Sequence, residues 1–101
     1  MTLNEIQKKV YANKVEKGFN TTDIAKEFCM LYGEVGEAYD AYRKKDQENL
    51  KEELADIAIY LLGLSEILGF SLSDEIEKKM TINEKRVYEN KSGVLTKKSK
   101  S

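Results

Sequence analysis

Ile24, Phe28, Leu31, Val35, Ala38 and Tyr42 follow one another at alternating steps of four and three residues. That spacing lines side chains up along one face of an α-helix. The 101 residues contain no proline, so helices can run for many turns and their breaks must come from Gly, Asn and Ser. The pattern predicts four helices. The first has Thr2 as N-cap with Glu5 three residues on, a capping box, and passes through Ile6 and Val10 to Gly18. After the turn Gly18-Phe19-Asn20 the second begins at Thr21 or Thr22 and carries the apolar stripe. The short polar connection Lys44 to Glu48 returns a third helix, Gln47 to Leu68, antiparallel beside the second. Gly69 ends it, and Ser71 with Asp74 opens a fourth that runs to about Tyr88. The fold expected is all-α, a four-helix bundle over residues 1–90. Residues 91–101, rich in Lys and Ser with little to bury, are expected to form a flexible tail.

The third helix is apolar on nearly every side: Leu54, Ile57, Ala58, Ile59, Tyr60, Leu61, Leu62, Leu64, Ile67 and Leu68 surround its axis. A helix of that kind is buried on several sides. One hundred and one residues hold one core, and three short companions do not cover so much apolar surface. A second copy of the chain is the expected cover, as a homodimer or a dimer of dimers.

Composition narrows the chemistry. With no His, Ser-His-Asp and Cys-His catalysis, His-ligated zinc and Glu-x-x-His di-iron centres are excluded, and any metal must sit on oxygen ligands. The single cysteine, Cys29, can form neither an internal disulfide nor a Cys-x-x-Cys site, and is expected to be buried and inert. The 17 Lys and Arg against 18 Asp and Glu, net charge -1, leave no basic excess for nucleic-acid binding. No signal-peptide core and no run of about 20 apolar residues occurs, so a cytoplasmic protein without membrane partners is expected.

Two acidic pairs stand out by position. Glu34 and Glu37 are three apart on the second helix, and Glu53 and Asp56 three apart on the third. Carboxylates at i and i+3 lie a turn apart and can reach one ion. The spacing alone is cheap, as Asp74 with Glu77 shows. Placement adds to it: at 100° per residue Glu34 falls about 40° beyond the edge of the apolar stripe, and Glu53 and Asp56 open the all-apolar helix. Acids clustered at a core boundary must be neutralised by Lys or Arg, or by a metal. Hard oxygen ligands select Mg²⁺ or Mn²⁺ over Ca²⁺. Gly33 and Gly36 precede Glu34 and Glu37, each costing about 1 kcal/mol inside a helix, so a neighbouring helix or a ligand is expected to approach there.

On the fourth helix Lys79, Asn83 and Arg86 share a face at steps of four and three. Two cations and an amide beside an acid-bound metal would suit a polyphosphate; the alternative is a solvated face with ion pairs.

Gly33-Glu34-Val35-Gly36-Glu37, then Glu52-Glu53-Leu54-Ala55-Asp56-Ile57-Ala58-Ile59-Tyr60, then Lys79-Met80-Thr81-Ile82-Asn83-Glu84-Lys85-Arg86 together resemble the MazG-like, all-α nucleoside triphosphate pyrophosphohydrolases, and within them the dCTP pyrophosphatase branch. The resemblance spans roughly Phe19 to Tyr88. It implies hydrolysis of a nucleoside triphosphate to monophosphate and pyrophosphate in nucleotide-pool cleaning, with Mg²⁺ held by Glu34, Glu37, Glu53 and Asp56. It implies nucleotide contacts from Tyr60, Lys79, Asn83 and Arg86, and self-association. Where that branch carries His and Trp this chain has Phe19 and Asn20, so the resemblance does not supply the base. The competing reading is a non-catalytic helical homodimer, a nucleotide sensor or an interaction module.

Overall fold

The computed structural model describes residues 1–86 and the backbone of 88–91 and 94–97. Among them are helices α1 (Leu3–Lys17), α2 (Ile24–Arg43), α3 (Gln47–Leu68) and α4 (Leu72–Lys85), followed by strands β1 (Tyr88–Lys91) and β2 (Val94–Lys97). The capping box at Thr2 forms with both of its hydrogen bonds. Gly18 and Gly69 end α1 and α3 at φ 70° and 87°, a left-handed conformation in which any Cβ is strained.

Two helix ends differ from the sequence pattern. The second helix starts at Ile24, not at Thr21 or Thr22, because the Asn20 side chain accepts the backbone N–H of Thr22 and Asp23 and holds them in a turn. Asp23 is thus left as N-cap, accepting from Lys26 N. The fourth stops at Lys85, where Arg86 takes an extended backbone that leads into β1. There β1 and β2 pair antiparallel, Tyr88 opposite Lys97 and Lys91 opposite Val94. The tail expected from residue 91 onward therefore includes paired backbone, while residues 92, 93 and 98–101 lie outside the described residues.

The packed part of the protomer is α3 with α1 on one side and α2 on the other. Its buried apolar core is small: Ala38 and Ala41 of α2, Leu62 and Leu64 of α3. The inward face of α2 is the row Glu27, Leu31, Glu34, Ala38 and Ala41, about 60° around the helix from the middle of the apolar stripe at 100° per residue. Two alanines on that face let the backbones of α2 and α3 approach closely. The bulky half of the stripe, Phe28, Val35 and Tyr42, remains exposed beside Tyr32 and Tyr39.

Cys29 is likewise exposed in the protomer, contrary to the buried position expected for it. It lies next to Phe28 on this uncovered side of α2 rather than toward α3.

Helix α4 is the outlier. The chain axis turns by 104° between α3 and α4, and α4 has no buried residue. The molecule is drawn out to 49 × 36 × 28 Å with a radius of gyration of 17.0 Å, against about 13 Å for a compact chain of this size. Among the described residues no single helix is long and apolar enough to cross a membrane.

Candidate metal centre

The α2–α3 turn decides which acids meet. Glu37 lies six residues before the end of α2 and Glu53 six residues after the start of α3, so a tight return brings them level across the pair. Glu34, a turn earlier on α2, points into the same seam. One carboxylate oxygen from each of Glu34, Glu37 and Glu53 lies within 4.8 Å of the other two. Asp56, a turn along α3, stands outside this triplet yet close enough for its charge to act on Glu37 and Glu53.

Glu34 Oε2 and Glu53 Oε2 are buried with no hydrogen-bond partner, and among the described residues no Lys or Arg forms a salt bridge with the four acids. Their electrostatics reflect that crowding. The Glu37 carboxyl is held above the usual carboxylate range, chiefly by the Glu53 carboxyl within reach of it and by that group's charge. Glu53 is raised in turn, first through Glu34 and then by burial. Buried oxygens that lack donors, crowded together with a third carboxylate, form an oxygen-only donor set suited to a hard divalent cation. Mg²⁺ or Mn²⁺ fits these residues.

Tyr60 follows Asp56 by one turn, and both line a cleft of about 560 Å³ between α1 and α3, whose walls are largely apolar: Ile6, Val10, Phe19 and Ile59. Burial first, and then the charges of Glu34, Glu27, Asp56 and Glu37, push the Tyr60 phenol above its ordinary value, so it keeps its proton. Lys14 Nζ sits 5.7 Å from the centre of the Tyr60 ring.

Two residues of this region went unnoticed in the sequence. Glu27, 1% exposed, receives Lys14 Nζ at 2.6 Å and Asn20 Nδ2 at 3.1 Å. Seven residues before Glu34, it falls on the same face two turns earlier, a signal masked by reading acids only as near pairs. Lys14, one turn after Val10, was readable only as a solvated lysine.

Lys79 and Asn83 share a face of α4, whereas Arg86 lies just past its end in extended backbone, and Arg86 Nη1 donates back to Asn83 Oδ1 at 3.1 Å. The fold does not bring them to the acids of their own chain, because α4 leaves from the far end of α3 and makes no contact with α2. Gly33 and Gly36 also depart from close packing within the chain: a Cβ on either would meet nothing within 4 Å. Their side of α2, next to Glu37, is open.

No curated protein and no solved structure matches the chain. A model of the MazG-like family does match, over residues 26–101, a span that contains Glu27, the acid triplet, Asp56, Tyr60 and all of α4. With three quarters of the chain so matched, and its acids meeting across the α2–α3 seam, the protein belongs to the MazG-like family.

Proposed function

We propose that this chain hydrolyses a nucleoside or deoxynucleoside triphosphate to the monophosphate and pyrophosphate, dependent on Mg²⁺ or Mn²⁺, and cleans nucleotide pools as a homodimer or dimer of dimers in the cytoplasm. Membership of a family of triphosphate pyrophosphohydrolases supports a hydrolase acting on nucleotides. The observation that carries the finer reading is the meeting of Glu34, Glu37 and Glu53, with two buried oxygens that lack any donor.

Glu34, Glu37 and Glu53 hold the ion, and Asp56 adds charge beside them. When bound, the ion supplies Lewis acidity toward the triphosphate oxygens and lowers the cost of deprotonating water. A cluster carboxylate left free of the ion takes the proton of the water that attacks the α-phosphorus, and pyrophosphate departs. The Tyr60 phenol donates toward the nucleotide from the cleft wall, and Phe19 and Ile59 offer apolar surface to the base. Lys79, Asn83 and Arg86, which the fold keeps from the acids of their own chain, bind phosphate oxygens as cations and amide donor only when another copy in the homodimer presents them.

The test is pyrophosphate release from a panel of natural triphosphates, with Mg²⁺ and with chelator. Release that requires the metal and is lost in Glu53→Gln supports the reading. No release from any substrate overturns it in favour of a non-catalytic helical homodimer, and equal release in chelator overturns the metal dependence.

A further inference from the structure

Accepting that reading, we propose that Lys14 selects the base: its ammonium, two helical turns from the acids, favours 4-oxo pyrimidines and 6-oxo purines over their amino counterparts.

Helix register carries the first part. Glu27 precedes Glu34 by seven residues of α2, and Gly63 follows Asp56 by seven residues of α3. Each step is roughly 10 Å of helix axis, so the antiparallel pair has a second level two turns from the acids. Lys14 joins that level from both sides. Its Nζ donates to Glu27 Oε1 at 2.6 Å, and its Cδ lies 3.4 Å from where a Cβ on Gly63 would stand. Tyr60 comes between the two levels on α3, with the ammonium 5.7 Å from its ring centre. Asp56, Tyr60 and Lys14 all line one cleft. A triphosphate held at the acids and laid along this cleft therefore brings its base toward Lys14.

Hydrogen-bonding capacity carries the second. An ammonium has three hydrogens to donate and no lone pair with which to accept. One goes to Glu27, and Lys14 makes no other hydrogen bond among the described residues. Its side chain is only 12% exposed, which leaves little water to take up the rest. Both Glu27 oxygens are already engaged, by Lys14 and by Asn20 Nδ2, and Glu27 is not among the residues that line the cleft. The other polar residues that α1 contributes there are Lys9, a donor, and Asn13, whose amide does either. A carbonyl oxygen at position 4 of a pyrimidine or 6 of a purine accepts from the ammonium. An amino group there turns N–H against N–H and leaves both sets of hydrogens buried and unmatched. The neighbouring walls are the apolar Val10, Phe19 and Ile59, which sharpen the discrimination by lowering the local dielectric.

Matched substrates test this: dUTP against dCTP and dITP against dATP, each pair differing only at the base edge. With Mg²⁺, wild type is expected to favour the oxo member of each pair about tenfold or more in kcat/KM, the equivalent of one hydrogen bond. Lys14→Met/Glu27→Leu removes the ammonium without stranding the carboxylate, and should bring both ratios close to one. Lys14→Gln, whose amide can face either edge, should do the same and serves where the double variant fails to fold; each is checked by its helical far-UV signal. Equal losses for all four substrates, with the ratios unchanged, would make Lys14 a purely structural anchor and overturn the selection. So would a wild type that favours the amino member or neither, and in both cases the hydrolase reading stands. A wild type that releases no pyrophosphate from any triphosphate overturns the hydrolase reading, and the selection with it.

Discussion

Lys14 Nζ donates to Glu27 Oε1 at 2.6 Å, with only 12% and 1% of the two side chains exposed. The pair joins α1 to α2, whose backbones do not pack against each other, and Asn20 Nδ2 binds the second Glu27 oxygen. It also fixes the ammonium over the Tyr60 ring, so one ion pair sets the position of α1 relative to the cleft. Removing one partner strands the other's charge. Lys14→Met is therefore expected to destabilise the protein by about 3 kcal/mol in urea unfolding, and Lys14→Met/Glu27→Leu by clearly less. Equal losses would show that the charge pairing is unimportant.

The acid seam has the opposite character, since its charges oppose folding when no cation is present. Both Glu37 and Glu53 are raised above 4.5, so the folded state holds their protons more tightly than the unfolded chain. Their contribution to stability is fully present below 4.5 and is lost as pH rises through the folded values. In metal-free buffer the melting temperature of wild type should fall over that rise, and that of Glu53→Gln should fall less. Mg²⁺ should raise the melting temperature of wild type at neutral pH and leave Glu53→Gln nearly unchanged.

At the other end of α1, Gln7 is buried and fully used. Its Nε2 donates to Glu66 Oε1 at 3.0 Å and to the Phe70 carbonyl at 2.8 Å, and its Oε1 accepts from Leu72 N at 3.1 Å. This clasp fixes the turn where α4 departs. Gln7→Ala should cost about 2 kcal/mol and loosen α4, seen as faster amide exchange there. Glu66 is depressed by Gln7 and then Lys8, so its contribution is present above 4.5 and lost as pH falls through its folded value; the variant should lose part of that acid-side dependence.

Tyr60 keeps its proton because burial and the surrounding acids hold the phenol up. Tyr60→Phe should fold normally and lower kcat/KM about tenfold, the equivalent of one hydrogen bond. Unchanged kinetics would remove the phenol from substrate binding.

Most helix boundaries were legible before any coordinates, because capping chemistry is local. Thr2 with Glu5, Gly18, Gly69 and Ser71 act through neighbours within a few residues, and α3 spans the expected Gln47–Leu68. The start of α2 was misplaced because the decisive group was the side chain of Asn20, whose donors serve both Asp23 O and Glu27 Oε2. The acid pairs were legible as spacing, and the meeting of Glu34, Glu37 and Glu53, with Asp56 outside it, followed from the short turn that levels Glu37 with Glu53.

What the residues determined alone is thus everything that depends on neighbours along the chain: four helices, an oxygen-only donor set, and acids on the two helices flanking one tight turn. Tertiary structure decided which side of each helix is inside. It turned Glu27 inward against Lys14, left Phe28, Val35 and Tyr42 outside, and swung α4 away from the seam. The reason is that periodicity reports a helix face only to within a quarter turn or so. Partner charges and the close approach of Ala38 and Ala41 to α3 set the final rotation, and these exist only once the helices have met.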